Sequence, residues 1–303
     1  MAYEFQMPQD WTRQVQSSEE ATKGTIVQND TWKNIGIVNK FDDSRVNTHE
    51  EVPILSGEDI HADMQLELAN TFTMGWLVFD TRFLRYCTEL RGGAGTIAKT
   101  NTLLRSALVN NVQNTRIYKG VMCDRITLNL DKLIQASGTF KTLDATDWLT
   151  DANVTAAVGA SPTYAPAITT EPWTHRSNAV ADPVTYGGSA RDILKGTLDI
   201  SRNVYQQYPW GDLKPLNERA GGRRITFNFD TWVKDSALLG DVEGMTAKAI
   251  VIKLFTTPVN ITLTNCKFNT HTMSSDSGSN EATMERMIGT AKSVTIDALT
   301  VAS

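Results

Sequence analysis

Among residues whose types and spacing could do chemistry, the string GAGTIAKT (Gly93–Thr100) comes first, because glycines there precede a Lys-Thr pair. A phosphate loop needs glycine immediately before that pair, since the backbone must curl around the phosphates. Ala98 holds that position, and the preceding YCTELRG reads as helix where a nucleotide fold places a buried strand. The string therefore reads as a surface loop. The histidines are His49, His61, His175 and His271. None pair at helical i, i+4 spacing, and none stand with cysteines or carboxylates at metal-ligand spacing. His61-Ala-Asp63 is the nearest approach and reads as a loop. No serine sits in a nucleophile elbow. A glycosidase carboxylate pair is defined in space rather than in sequence, and the acidic residues here are scattered. The residues thus nominate no catalytic, cofactor-binding or metal-binding residue, and the expectation is a protein that is not an enzyme.

Two constellations suit contact rather than catalysis. Arg223 and Arg224 follow Gly221-Gly222 at a strand start. Such charges discourage wrong edge pairing or bridge to a neighbouring subunit. Tyr205, Tyr208 and Trp210 fall in a loop between two strands, where aromatic residues anchor protein interfaces. Cys87, Cys123 and Cys266 are odd in number and far apart, which argues against a disulfide framework and for buried reduced thiols.

The elements that must position these residues are mostly strands. Period-two alternation runs through Met122–Leu130, Leu194–Ser201, Arg224–Asp230 and Ile250–Leu254. Val259, Ile261 and Leu263 continue it, and the phase then shifts to Cys266 and Phe268, as a bulge requires. Ser293–Val301 is again strand-like. Helices are expected over Thr81–Leu90, capped by Asp80, and over Ser236–Val242, capped by Asp235, with a weaker one over Ala98–Val112. Gly159–Ala190, holding four prolines, reads as an extended linker, and Met273–Asn280 as a Ser/Gly-rich loop. Tyr118–Asp144 and Ile193–Trp232 share a strand–connection–strand outline, a faint internal repeat. The expected layout is a terminal arm (1–31), a first β unit with a helical insertion (32–158), the linker (159–190) and a second β unit (191–303).

The chain has 303 residues and a formal net charge of −5. That balance argues against a protein that grips duplex phosphates with clustered Lys and Arg. No apolar run approaches the ~20 residues of a membrane helix. The opening MAYEFQMPQDWTRQVQ has no apolar core of a secretion signal.

Several strings carry a family resemblance. Trp32, Gly36, Val38 and Phe41 are followed by Glu51, Gly57, Asp59 and Ala62, then by FDTRFLRYCTEL. LKGTLDISRN leads through a loop to ERAGGRRITFNFDT, and YKGVMCDRITLNL lies between. Together these resemble the tail tube proteins of long-tailed bacterial and archaeal viruses, in the variant of about 300 residues. By position, Tyr118, Gly120, Ile126 and Leu128 match the family's strand before its turn. Leu194, Gly196, Leu198, Ile200 and Asn203 match the corresponding strand of a second unit, and Gly222, Ile225, Phe227 and Phe229 the strand after the loop. The short connection Asp131–Ser137 and the stretch Arg91–Val112 depart from the family pattern.

The resemblance implies a mainly β chain of two β-sandwich or barrel units with short flanking helices. It implies homo-hexameric rings, joined edge to edge and stacked into a hollow tube in the virion tail, assembled in the host cytoplasm. Implied partners are other copies of the chain, the tape measure protein, and the tail terminator and distal tail proteins. Genomic DNA would pass through the lumen without specific binding, and no membrane insertion or cofactor is implied. Six chains would carry a charge of about −30 per ring, with the acidic excess expected toward the lumen. The alternatives are a head decoration or baseplate protein, or a carbohydrate-binding β protein using Trp210.

Overall fold

A computed structural model describes residues 14–53, 60–79, 81–88, 100–109, 112–131, 133–164, 184–191, 193–210, 212–232, 237–254, 259–274 and 284–297. The chain is mainly β. The first half runs β1 (Gln14–Glu19), β2 (Lys33–Asn34), β3 (Ile37–Pro53), β4 (Ile60–Leu77), α1 (Arg82–Thr88), β5 (Asn101–Val109), β6 (Val112–Leu130), β7 (Ile134–Thr142), β8 (Asp144–Ala145), β9 (Leu149–Thr150) and α2 (Asp151–Val158). The second runs β10 (Val184–Tyr186), β11 (Ser189–Arg191), β12 (Ile193–Ser201), β13 (Tyr205–Gln207), β14 (Asn217–Arg219), β15 (Arg224–Trp232), α3 (Ala237–Glu243), β16 (Lys248–Leu254), β17 (Val259–Ser274), β18 (Met284–Ala291) and β19 (Ser293–Ile296).

One continuous antiparallel sheet runs β3-β4-β7-β6-β12-β15-β18-β17. Its apolar residues alternate onto one face, where Phe72, Phe140, Leu128, Leu198, Phe227 and Phe229 are buried. Phe72 stacks between Phe41 and Phe140 at ring separations of 4.9 Å each. In the second half Phe227 meets Phe229 at 5.3 Å and Phe268 at 5.7 Å. A single hydrophobic cluster takes in both halves. A smaller one packs α2, through Val154 and Val158, against Trp32, Leu104 and Ile117.

The two halves follow the same path. A short hairpin (β1-β2, then β10-β11) leads to a longer one (β3-β4, then β12-β15), and a helix follows (α1, then α3). The next strand (β5, then β16) pairs with the first half of a crossing strand (β6, then β17). The crossing strand's second half joins the main sheet beside β7 or β18.

Irregularities recur at matching places. β3 has an extra residue between Val38 and Lys40, and β12 has one between Ile193 and Lys195. β6 bulges between Tyr118 and Val121, and β17 between Leu263 and Cys266. A second bulge falls between Cys123 and Arg125 on β6, and between Phe268 and Thr270 on β17. The first bulge of each crossing strand holds a left-handed residue, Gly120 (φ 65°) or Asn265 (φ 49°). The next turn repeats as well: Leu143 N–H donates to Lys119 O at 3.1 Å, and Lys292 N–H to Thr264 O at 3.0 Å. Bulges are placed features rather than accidents, so their coincidence marks a duplicated unit.

Several expectations need correction. Ala98–Val112 is not helical where it is described; Asn101–Val109 is β5, the counterpart of β16. The repeat is real but pairs different segments. The strands of Tyr118–Asp144 correspond to β17 and β18, while those of Ile193–Trp232 correspond to β3 and β4. Within the expected arm, Gln14–Glu19 form β1, which pairs with β5 and buries Val15. The end of the expected linker folds as β10-β11, turned by Gly187 and Gly188, both at positive φ. β17 extends through Met273 and Ser274, which the sequence assigns to a loop. Helix α2 was not anticipated. The other two helices occupy Arg82–Thr88 and Ala237–Glu243, within a residue or two of expectation, and their proposed caps Asp80 and Asp235 lie outside the described residues.

Gly120→Ala tests the bulge. A Cβ at this residue would sit 2.5 Å from Leu143 in a left-handed conformation that alanine disfavours. The expected cost is about 1–3 kcal/mol in urea unfolding, whereas Asn265→Gly should change stability by under about 1 kcal/mol. Equal effects at both positions would remove the proposed equivalence.

Candidate assembly interface

The two halves join where β6 meets β12. Leu128 lies opposite Leu198 and Ile126 opposite Ile200, so the core-facing sides are apolar. On the other face, Arg125 Nε donates to both Asp199 carboxylate oxygens, at 3.1 and 2.9 Å, and Thr127 Oγ1 donates to Oδ2 at 3.3 Å. Arg202 N–H donates to Asp124 O at 2.7 Å and extends the seam. The main sheet ends at β3 on one side and at β17 on the other. Among the described residues, β3 pairs along β4, and residues 267–274 of β17 pair only along β18.

The sheet face away from the core is polar. Asp230 accepts from Arg286 Nε at 2.6 Å and Nη2 at 3.1 Å, and Lys195 lies 3.6 Å away. The Arg286 hydrogen bond holds the Asp230 carboxyl below the usual carboxylate range. Asp42 sits 2.9 Å from Lys40. The carboxylates Asp42, Asp199 and Asp230 are therefore matched by cations. A shallow hollow here, lined by Asn129, Gln135, Lys195, Thr197, Asn228 and Asp230, offers paired charges and amides rather than a poised acid or base.

Two features project from the fold. Hairpin β3-β4 stays paired from Asn47↔Leu68 out to Pro53↔Ile60, beyond the Asn70–Leu77 stretch supported by β7. That is an overhang of roughly 20–25 Å of two-stranded ribbon, and an isolated ribbon is marginal in water. In the second half the corresponding place holds hairpin β13-β14 and its loop. There Trp210 is fully exposed, with Leu213 and Leu216 also exposed. The loop tip thus places three apolar side chains in solvent rather than in the core. Tyr205 is exposed on β13, and Tyr208 donates to Gln206 Oε1 at 3.2 Å.

The other singled-out residues separate. Arg223 Nη1 donates to Thr88 O at 2.8 Å, tying the start of β15 to the end of α1, while Arg224 is exposed. Within Gly93–Thr100 only Thr100 is described, and it donates to buried Glu20. His175 lies outside the described residues, as do the side chains of His49, His61 and His271. Among the described residues no cluster of His, Cys, Asp or Glu could hold a metal ion. No described helix is long and apolar enough to cross a membrane. All three cysteines are free and buried, and burial pushes the Cys266 thiol up to about 12. Asn203, expected to close its strand, is left-handed at φ 49° just after β12.

Sequence reasoning missed the overhanging hairpin, because Asp42–Glu51 carries no alternation. No family model matches the chain, and no curated protein matches it significantly.

Proposed function

We propose that the chain is a structural virion protein that self-assembles into stacked rings, forming the hollow tail tube through which a viral genome passes. The observation that carries this reading is the duplicated unit, whose copies join edge to edge through β6 and β12, while among the described residues β3 and β17 are the end strands of the sheet. Open edges invite pairing and must be covered. A ring covers every one of them through heterologous contacts. The overhanging β3-β4 ribbon and the Trp210 loop are suited to contacts between rings, the tape measure protein or the tail-end proteins.

In this reading the polar sheet face lines the lumen. The acidic excess is expected toward that lumen, and on this face Asp42, Asp199 and Asp230 are each paired with Arg or Lys. Paired charges and amides suit passage of DNA without specific binding. Each residue invoked is a contact residue, and the function needs no bond chemistry.

Purified protein at high concentration is expected to form rings or tubes in negative stain, and its band should be among the most abundant in virions. A chain that stays monomeric at every salt concentration would sink the proposal. A low copy number on the head would favour a decoration protein instead. Binding to a glycan array that is lost in Trp210→Ala would favour the carbohydrate-binding alternative.

A further inference from the structure

We propose that Lys23 and Asn217 join in an isopeptide bond, an amide from Lys23 Nζ to Asn217 Cγ that ties the segment after β1 to hairpin β13-β14. The inference stands on the chemistry of these residues and their neighbours and does not depend on the tube reading.

The fold brings the two reactants together from 194 residues apart. Lys23 sits in a turn where Thr25 N–H donates to Thr22 O at 3.1 Å and Gly24 is left-handed at φ 73°. Glu20 anchors that turn by accepting from Gly24 N–H at 2.7 Å. A Cβ on Gly24 would lie 2.8 Å from Leu143, so the turn is seated closely on the first half. On the other side Asn217 opens β14, opposite Gln207. Lys23 Nζ donates to Asn217 Oδ1 at 2.8 Å and also to the Glu218 backbone carbonyl. A contact of this kind sets the amine roughly 3–4 Å from Cγ, close to the separation of a near-attack arrangement.

The surroundings supply the rest of the chemistry. A lysine is nucleophilic only as a neutral amine. Burial lowers the Lys23 pKa against the opposing pull of Glu218 and Glu20, and Arg219 adds to the lowering. Glu218 N–H donates to Asn217 Oδ1 at 2.9 Å, so a backbone donor already faces the oxygen on which negative charge develops during attack. The Glu218 carboxyl is fully buried, and burial pushes it up to about 8. Gln206 holds Oε1 at 2.8 Å, while Oε2 has no hydrogen-bond partner among the described residues. Such a group carries a proton near neutral pH and can pass it on. Lys23 thus addresses an amide and a backbone carbonyl and forms no ion pair with the Glu218 carboxyl among the described residues. That is the arrangement of a nucleophile beside an acid.

The step balances within the chain. The Nζ lone pair forms the bond to Cγ, and the carbonyl electron pair moves onto Oδ1. As the carbonyl re-forms, the Cγ–Nδ2 bond breaks. Glu218 gives its proton to Nδ2 and recovers one from Nζ, so it ends as it began. One ammonia leaves, nothing is oxidised or reduced, and no co-reactant is consumed. Asn217 is half-buried, which leaves ammonia a way out. The product closes a covalent loop that holds the two halves together even when β6 and β12 separate.

The test is the intact mass of the full-length protein, followed by tryptic mapping. Expected is a mass about 17 Da below the sum of its residues, the loss of one ammonia. Expected too is a branched peptide in which residues 14–33, uncut at Lys23, are joined to residues 203–219. Lys23→Arg and Asn217→Ala should each restore the full mass and separate the two peptides. Glu218→Gln should cut the cross-linked fraction at least ~10-fold in freshly made protein. The full mass and two separate peptides in the folded parent would overturn the proposal, and that measurement needs no variant. A 17 Da loss that persists in Lys23→Arg would also overturn it, by marking ring closure at a side-chain amide instead. Complete cross-linking in Glu218→Gln would overturn the role given to Glu218.

Discussion

Glu20→Ala is expected to lower stability by about 4–6 kcal/mol, a large part of what an ordinary domain possesses. Glu20 is buried and accepts four hydrogen bonds: from Gly24 N–H at 2.7 Å, Thr100 Oγ1 at 2.5 Å, Thr102 Oγ1 at 2.9 Å and Gly120 N–H at 2.7 Å. It thereby ties the end of β1 to β5 and to the bulge of β6. Alanine would leave those donors facing a void, and each buried unsatisfied donor costs about 1–3 kcal/mol. The hydroxyls can turn elsewhere, whereas the backbone N–H groups cannot, which sets the range below the full sum. Glu20→Gln keeps one acceptor oxygen but turns a donor toward donors, so it should lose about half as much. Urea unfolding followed by tryptophan fluorescence reads both. A loss under about 1 kcal/mol for the alanine variant would mean that water or a shifted backbone replaces the carboxylate.

Glu20 also explains an asymmetry between the halves. The bulge at Gly120 hands its N–H to a carboxylate from the N-terminal segment. The corresponding bulge at Asn265 has an amide side chain of its own, on a residue type that tolerates the left-handed region. Two sequences thus stabilise one backbone irregularity by different means, so residue matching did not expose the repeat.

Legibility followed burial. β15 shows plain alternation because one face is core and the other polar, as Ile225, Phe227 and Phe229 against Thr226 and Asn228 display. β5 misled because it lies between two cores. Leu103 packs into the main cluster and its neighbour Leu104 into the Trp32 cluster, so adjacent leucines are both buried and the spacing imitates a helix. β3 was invisible as a long strand because its outer part, NTHEEVP, is polar and shows no alternation. The repeat was misaligned for a related reason. β6 and β12 look alike because they lie side by side over one core, so Ile126 and Leu128 mirror Ile200 and Leu198 as partners rather than as equivalents. The proposed contact surfaces were barely legible, since a sheet edge is a property of pairing and leaves little trace in residue type. The Trp210 loop was the exception, because an aromatic among turn residues has no core to join.

Replacing Glu218 should change how stability depends on pH. This residue of β14 is fully buried, and burial pushes its carboxyl up to about 8 against the opposing pull of Gln206, Lys23 and Lys141. Gln206 Nε2 donates to Oε1 at 2.8 Å, while Oε2 has no hydrogen-bond partner among the described residues. Lys23 donates to the Glu218 backbone carbonyl and, at 2.8 Å, to Asn217 Oδ1; burial lowers its own pKa. Glu20 adds a repulsive carboxylate. In the unfolded chain a glutamate titrates near 4.3. Between about 4.3 and 8 the native state therefore holds a proton that the unfolded state has lost, so stability falls as pH rises through that window. The slope tends to about 1.4 kcal/mol per pH unit for one such group, and water entering near a surface hairpin reduces it. Glu218→Gln carries no titrating proton and should flatten the curve. Measured by urea unfolding at pH 5 and pH 8.5, the variant is expected to gain about 2–4 kcal/mol relative to the parent across the interval, with the two closest at pH 5. Parallel curves would mean that Glu218 ionises normally in the folded chain. Because Glu218 and Lys23 clamp the hairpin that carries Trp210, the same protonation should stiffen the exposed loop at low pH. Slower protease cleavage of residues 208–216 at pH 5.5 than at pH 8.5, with the difference abolished in Glu218→Gln, would connect the buried proton to the exposed Trp210 loop.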